Sequence, residues 1–187
     1  MTIQSSIEHI AADLLIAIGE DPQRQGLRET PQRVARMYQE LFSGVGVDPQ
    51  EAIDAVFDEE SADPVILRNV PFYSMCEHHL LPFFGSASLA YVPNGRIAGI
   101  SKLSRALDLA CRRPQVQERL TGQVADAIFS ALEPQGVVVE LSAEHLCMAM
   151  RGVQKPGIRM VTTAVRGDFA DGRWDRDSLL NLMRGEA

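Results

Sequence analysis

The chain has 187 residues and 45% hydrophobic content, enough to bury a core as one domain without disulfide staples. Its 18 basic and 25 acidic side chains give a formal charge of −7, which excludes a nucleic-acid surface as the main partner. No stretch approaches the ~20 consecutive apolar residues of a membrane span, Met1 to Ile10 lacks the basic start and apolar run of a signal peptide, and the expected compartment is the cytoplasm.

Ser5 and Glu8 form a capping-box pattern, and Ile7, Ile10, Leu14 and Ile18 recur at helical spacing until Gly19. Thr30 as cap and Pro31 at the first position predict a second helix with an apolar stripe of Val34, Met37, Tyr38, Leu41 and Phe42. Asp48, Pro49 and Glu51 repeat the start signal for a shorter helix. Between Val65 and Ile100 the character turns to β, with runs at Val65 to Val70, Gly85 to Val92 and Arg96 to Ile100 separated by Pro and Gly. Two helices follow, Ser101 to about Arg112 and Pro114 to about Leu132. Val137 to Leu141, Leu146 to Met150 and Met160 to Val165 read as strands, and Ser178 to Met183 as a last helix. This order, without an alternating βα rhythm, predicts an α+β fold with an antiparallel sheet. Residues 1–63 read as a helical segment and 64–187 as the part of one compact unit that holds the sheet.

Three cysteines at wide spacing, Cys76, Cys111 and Cys147, argue against a disulfide framework. Cys111 follows Leu103 and Leu107 at steps of four, the pattern of a core thiol. The other two lie in segments dense with metal-competent groups, Cys76-Glu77-His78-His79 and His145-Leu146-Cys147. Cys76, His79 and Cys147 would make a Cys2His site of the catalytic zinc type, with one coordination place open. An extended His145 to Cys147 segment would point both side chains to one face. His78 and His145 then stand beside the metal as proton carriers. A closed structural zinc that recruits one of them as fourth ligand is the competing reading.

Charge is uneven: Glu51 to Asp63 holds six acids and no base, whereas Arg96 to Arg119 holds six bases and two acids. A small anionic ligand would explain that contrast. Ser101 can cap its helix, with Lys102 and Arg105 on one face near the positive end of the helix dipole, a place suited to phosphate. Arg151, Arg33 and Arg36 are further polyphosphate candidates, each also readable as a solvated surface base. Glu118 is either an exposed helical carboxylate or an acceptor for the N1–H and amino protons of a guanine, with Gln117 adding an amide.

Several blocks in order carry a resemblance. Ser74-Met75-Cys76-Glu77-His78-His79, Gly99-Ile100-Ser101-Lys102-Leu103-Ser104-Arg105, Arg113-Pro114-Gln115-Val116-Gln117-Glu118-Arg119-Leu120 and Glu144-His145-Leu146-Cys147-Met148-Ala149-Met150-Arg151-Gly152 strongly resemble the GTP cyclohydrolase I family. The likeness runs from about Glu29 to Phe169. It implies a zinc-dependent hydrolase that opens the imidazole ring of GTP, releases formate and yields 7,8-dihydroneopterin triphosphate. It places Zn2+ on Cys76, His79 and Cys147, catalysis on His78 and His145, and guanine recognition on Glu118 with Gln117. The triphosphate falls to Ser101, Lys102, Arg105 and Arg151, plus Arg33 and Arg36 of a neighbouring subunit. It also implies the tunnelling fold, in which four-stranded antiparallel sheets from several subunits close a barrel, and a homodecamer with shared sites.

The segment Asp171-Gly172-Arg173-Trp174-Asp175-Arg176 departs from the family pattern. The same Cys and His residues admit two other readings. A nitrile reductase of queuosine synthesis would use a nucleophilic Cys and a reduced nicotinamide without needing the Cys2His set. A non-enzymatic oligomer would keep zinc as a structural device.

Overall fold

The computed structural model describes residues 3–61, 63–169 and 175–185. Asp171 to Trp174, in the divergent tail, lie outside them. The chain divides into two compact units, Met1–Ser43 and Gly44–Ala187. The change of composition at 63/64 thus falls inside the second unit, because the stretch after Gly44 is built into it by pairing and packing.

The first unit is a helix pair. α1 spans Ile3–Ala17 and α2 spans Thr30–Leu41. Ser5 and Glu8 lie within α1 rather than at its start, so they form no capping box; Glu8 instead accepts from the Gln4 amide at 3.1 Å. Thr30 is likewise the first helical residue of α2, following Glu29, and its side chain caps nothing.

In the second unit a one-turn 3-10 helix, Pro49–Ala52, has the reciprocal capping box of Asp48 and Glu51. β1 (Val56–Asp58) pairs with β4 (Arg96–Ala98) in a small antiparallel ribbon. The main sheet contains β2 (Val65–Cys76), β3 (Pro82–Val92), β5 (Pro114–Gln115), β6 (Gly136–His145) and β7 (Met160–Gly167), in the order β5-β2-β3-β6-β7. Its four long strands are antiparallel, and β5 adds two residues in parallel beside Met75 and Cys76. Pro114 therefore opens a strand, and the helix expected from it, α4, begins at Gln117 and runs to Leu132. The preceding helix, α3, spans Ile100–Cys111.

Strand alternation sorts the core into two faces. Leu89, Tyr91, Val137 and Val139 pack with Leu103, Leu107, Leu120, Val124 and Ile128 of α3 and α4. Ala90, Val92 and Val138 meet Leu179, Leu180 and Met183 of α6, which spans Arg176–Arg184. Gly85 permits the tight β3–β6 pairing: a Cβ there would lie 1.9 Å from the Ser142 carbonyl oxygen. Cys111 is buried in the larger core, as its spacing predicts. No helix among the described residues is long and apolar enough to cross a membrane.

Leu146 to Met150 is not a strand. β6 ends at His145 and the next four residues form a helical turn, α5 (Leu146–Ala149). The β3 partner strand begins at Pro82, and its pairing with β6 ends at Phe83 opposite His145. Beyond that point no ladder holds the segment extended, and the local i→i+4 bond from the Met150 amide to the Leu146 carbonyl takes over at 3.1 Å.

Candidate active site

β2 delivers Cys76 as its last residue, and the chain reverses before Pro82. The Leu80 amide donates to the Cys76 carbonyl at 2.8 Å, and the Cys76 amide to the Leu81 carbonyl at 2.9 Å. Leu80 adopts a φ of 50°, in the left-handed region, to close this turn. The reversal brings His79 Nδ1 to 4.0 Å from the Cys76 sulfur. Strand register supplies the other half: Ser74 stands opposite Phe83, and Phe83 opposite His145, so the turn lies beside the end of β6. Cys147 reaches it from α5, a helical turn, so it does not share a strand face with His145.

The donor atoms of Cys76, His79 and Cys147 lie within 4.8 Å of one another, and no other His, Cys, Asp or Glu among the described residues joins them. Tetrahedral zinc bound to sulfur and nitrogen sets donor–donor edges of about 3.5–3.8 Å. The cluster needs only a small contraction to match, and its soft sulfurs and imidazole are the donors zinc prefers. Burial and the neighbouring Cys76 thiol push the Cys147 thiol up. Two sulfurs this close resist sharing negative charge unless a cation lies between them.

Two histidines flank the cluster. His78 is exposed, with Nδ1 3.8 Å from the Cys76 sulfur and Nε2 3.8 Å from Glu77 Oε1. His145 is half-buried, stacked on Phe83 with ring centroids 4.6 Å apart and planes 1° from parallel. Burial pulls its imidazole below the ordinary range, and the Glu118 charge opposes that shift. Glu118, exposed in the first turn of α4, therefore shares an electrostatic neighbourhood with His145. Gln117, expected as a second guanine contact, is instead buried with its amide engaged inside the protein.

Arg151 is exposed; its Nη1 donates to the Cys147 carbonyl at 3.2 Å and lies 3.4 Å from His79 Nε2. Ser101, Lys102 and Arg105 lie in the first two turns of α3, which spans Ile100–Cys111. Gly99 is the N-cap there and Ser101 caps nothing. Lys102 Nζ pairs with Asp54, which Lys102 first and Arg105 last hold below the usual carboxylate range. Arg33 and Arg36 belong to the first unit, where both are exposed and Arg33 pairs with Glu29 at 2.6 Å.

Sequence reasoning missed three contributors. Arg119 grips Glu77 bidentately at 2.6 and 3.1 Å, Phe83 supports the His145 ring, and Asp54 engages Lys102. Each acts across at least 42 residues of sequence, where no local spacing signals the pairing.

Fold and site together define an α+β protein with a cluster of two cysteines and one histidine able to hold a metal, beside two further histidines. The family model for GTP cyclohydrolase I matches residues 7–184. GTP cyclohydrolase 1 of Streptococcus agalactiae serotype Ia is 51% identical over 185 residues, covering 98% of this chain and 99% of its own. GTP cyclohydrolase 1 of Geobacillus kaustophilus is 52% identical over 181 residues, 96% of each chain. That of Mycolicibacterium vanbaalenii is 52% identical over 182 residues, 96% of this chain and 90% of its own. Among solved structures, the archaeosine synthase QueF-Like in its apo form aligns with a TM-score of 0.47 and 20% identity, over 58% of this chain and 97% of that one. The chain belongs to the GTP cyclohydrolase I family.

Proposed function

We propose that the protein is a zinc-dependent GTP cyclohydrolase I that converts GTP and water to formate and 7,8-dihydroneopterin triphosphate, the first step towards pterins and folate, in the cytoplasm. The observation that carries this reading is the convergence of Cys76, His79 and Cys147 within 4.8 Å, in a chain of this family. These three residues hold the metal. A bound zinc ion supplies Lewis acidity and brings the deprotonation of water to ~pH 7.

The chain's own groups do the rest. Glu118 accepts the N1–H and amino protons of guanine, and its exposure leaves it open to do so. His145, as an imidazolium, gives a ring proton to N7, so that C8 becomes electrophilic and the ring is left neutral, and exposed His78 carries protons during ring opening and at the ribose. Ser101, Lys102, Arg105 and Arg151 bind the triphosphate, with Lys102 exchanging Asp54 for phosphate. Arg33 and Arg36 complete that pocket from a neighbouring subunit. Residues 64–187 form the catalytic part, in the tunnelling fold, and 1–63 the helical segment of a homodecamer.

Purified protein analysed for metal and incubated with GTP tests the reading. Formate and the fluorescence of oxidised neopterin are expected from zinc-loaded protein. Cys147→Ser should lose both the zinc and at least about a hundredfold of the activity, as loss of a ligand to a catalytic metal implies. Zinc-loaded wild-type protein that leaves GTP untouched would overturn the assignment.

A further inference from the structure

Gln117, the first residue of α4, is 1% exposed, so its polar amide must be satisfied inside the protein. Its Nε2 faces three acceptors: the Leu141 carbonyl at 3.1 Å, the Met160 carbonyl at 3.0 Å and Thr162 Oγ1 at 3.1 Å. Two of these are carbonyls and can only accept, so the NH2 end of the amide must point at them; a flipped amide would set oxygen against oxygen. The Thr162 hydroxyl reinforces the choice. It donates onward to Thr121 Oγ1 at 2.6 Å, and Thr121 donates to the Gln117 backbone carbonyl at 2.7 Å, closing a loop of bonds.

The orientation of Oε1 is then fixed by elimination. It lies 2.8 Å from His145 Nε2 and, being an acceptor only, requires that Nε2 carry hydrogen. Phe83 fixes the plane of the same ring by stacking. Plane and rotation are thus both set, and Nδ1 is the nitrogen left to address a substrate.

We propose that Gln117 is the positioning residue that fixes the tautomer and rotation of His145, and that it acts through this histidine rather than by touching guanine. The inference rests on the reading of the protein as a GTP cyclohydrolase that uses His145. It separates Gln117 from its neighbour Glu118: adjacent residues at one helix start, the first turned into the sheet and the second out to solvent.

The test is Gln117→Met, close in shape but without an acceptor, made alone and combined with His145→Ala. Zinc content and oligomeric size serve as controls. Alone it should lower kcat by about tenfold to a hundredfold, the usual cost of a misplaced catalytic group, with KM for GTP unchanged within twofold. Equilibrium GTP affinity is measured in the His145→Ala background, whose slow turnover leaves GTP intact over the measurement. There, adding Gln117→Met should leave affinity unchanged within twofold and any residual kcat unaffected. A weakened affinity in that background, a rise in KM with kcat kept, or an unaltered kcat in the single variant would each overturn the proposal.

If Gln117→Met does not yield assembled protein, Thr162→Val removes the hydroxyl that holds the amide. The same comparison then applies, with a smaller kcat loss expected alone and none on top of His145→Ala. Wild-type enzyme that releases no formate from GTP would sink the underlying reading instead, and is distinguishable because it involves no change at Gln117.

Discussion

Cys111 and Cys147 are both helical thiols, yet their surroundings assign them opposite chemistry. Cys111 is 2% exposed among Leu103, Leu107 and the sheet residues, and burial first, then Asp108, pushes its thiol far up. A buried thiol kept in its protonated form is a poor nucleophile and a poor metal ligand. Metal-free native protein treated with a maleimide at pH 8 should therefore carry no label on Cys111 by peptide mapping, whereas the unfolded chain should label there fully. Labelling of native Cys111 would show that its core placement is wrong. This residue was legible in the sequence because burial on a helix is a local property, visible in the four-residue steps from Leu103. Gln117 was not. An amide at a helix start reads as solvent-facing, and only the long-range return of β6 and β7, with the Leu141 and Met160 carbonyls, turns it into an interior group.

The turn between β2 and β3 must hold Cys76 and His79 in place while lying at a sheet end, where strands fray for want of partners. Two ties hold it down. The Glu77 amide donates to the Gln115 carbonyl at 2.9 Å, and the Glu77 carboxylate takes both Arg119 nitrogens, whose hydrogen bonds keep that carboxyl below the usual range. Arg119 sits in the first turn of α4, so one pair couples the turn carrying Cys76 and His79 to the helix that presents Glu118. Arg119→Ala should weaken zinc binding by about tenfold, the lower end of what outer partners of metal ligands contribute. The pair is largely solvated, so the melting temperature of the metal-free protein should barely move. Competition against a chromophoric chelator measures the first and calorimetry the second. Unchanged zinc affinity would mean the turn holds its shape unaided.

At this scale the sequence was partly readable. The Cys76 to His79 and His145 to Cys147 segments announce themselves by composition, and the long helices by periodicity. The α5 turn did not, because four residues are too few to show a period, and whether they extend or coil depends on where the β3–β6 ladder stops. Pro114 was misleading for a related reason. Proline suits the first turn of a helix and the start of an edge strand equally well, and the parallel pairing with Met75 that decides between them is not local.

For the whole molecule, the proposed triphosphate contacts are spread over both compact units: Lys102 and Arg105 belong to the second, Arg33 and Arg36 to the first. If the first unit's arginines serve a neighbour's metal site, two different inactive chains can repair each other. Arg33→Ala lacks a phosphate contact but keeps the metal; Cys147→Ser lacks the metal but keeps Arg33. Co-assembled at equal amounts, a shared site draws its metal half from one chain and its arginine from the next, so about a quarter of sites are fully native in a closed symmetric ring. Activity should rise well above the sum of the two parents, and only when the chains are unfolded and refolded together, not when preformed oligomers are mixed. A site built within a single chain has no such route, since every metal-competent site then contains the Arg33→Ala change whatever its neighbours are. Activity no higher than that sum, with mixed oligomers verified by mass, would place Arg33 at its own chain's site or outside the site altogether, and would remove the mechanistic need for assembly.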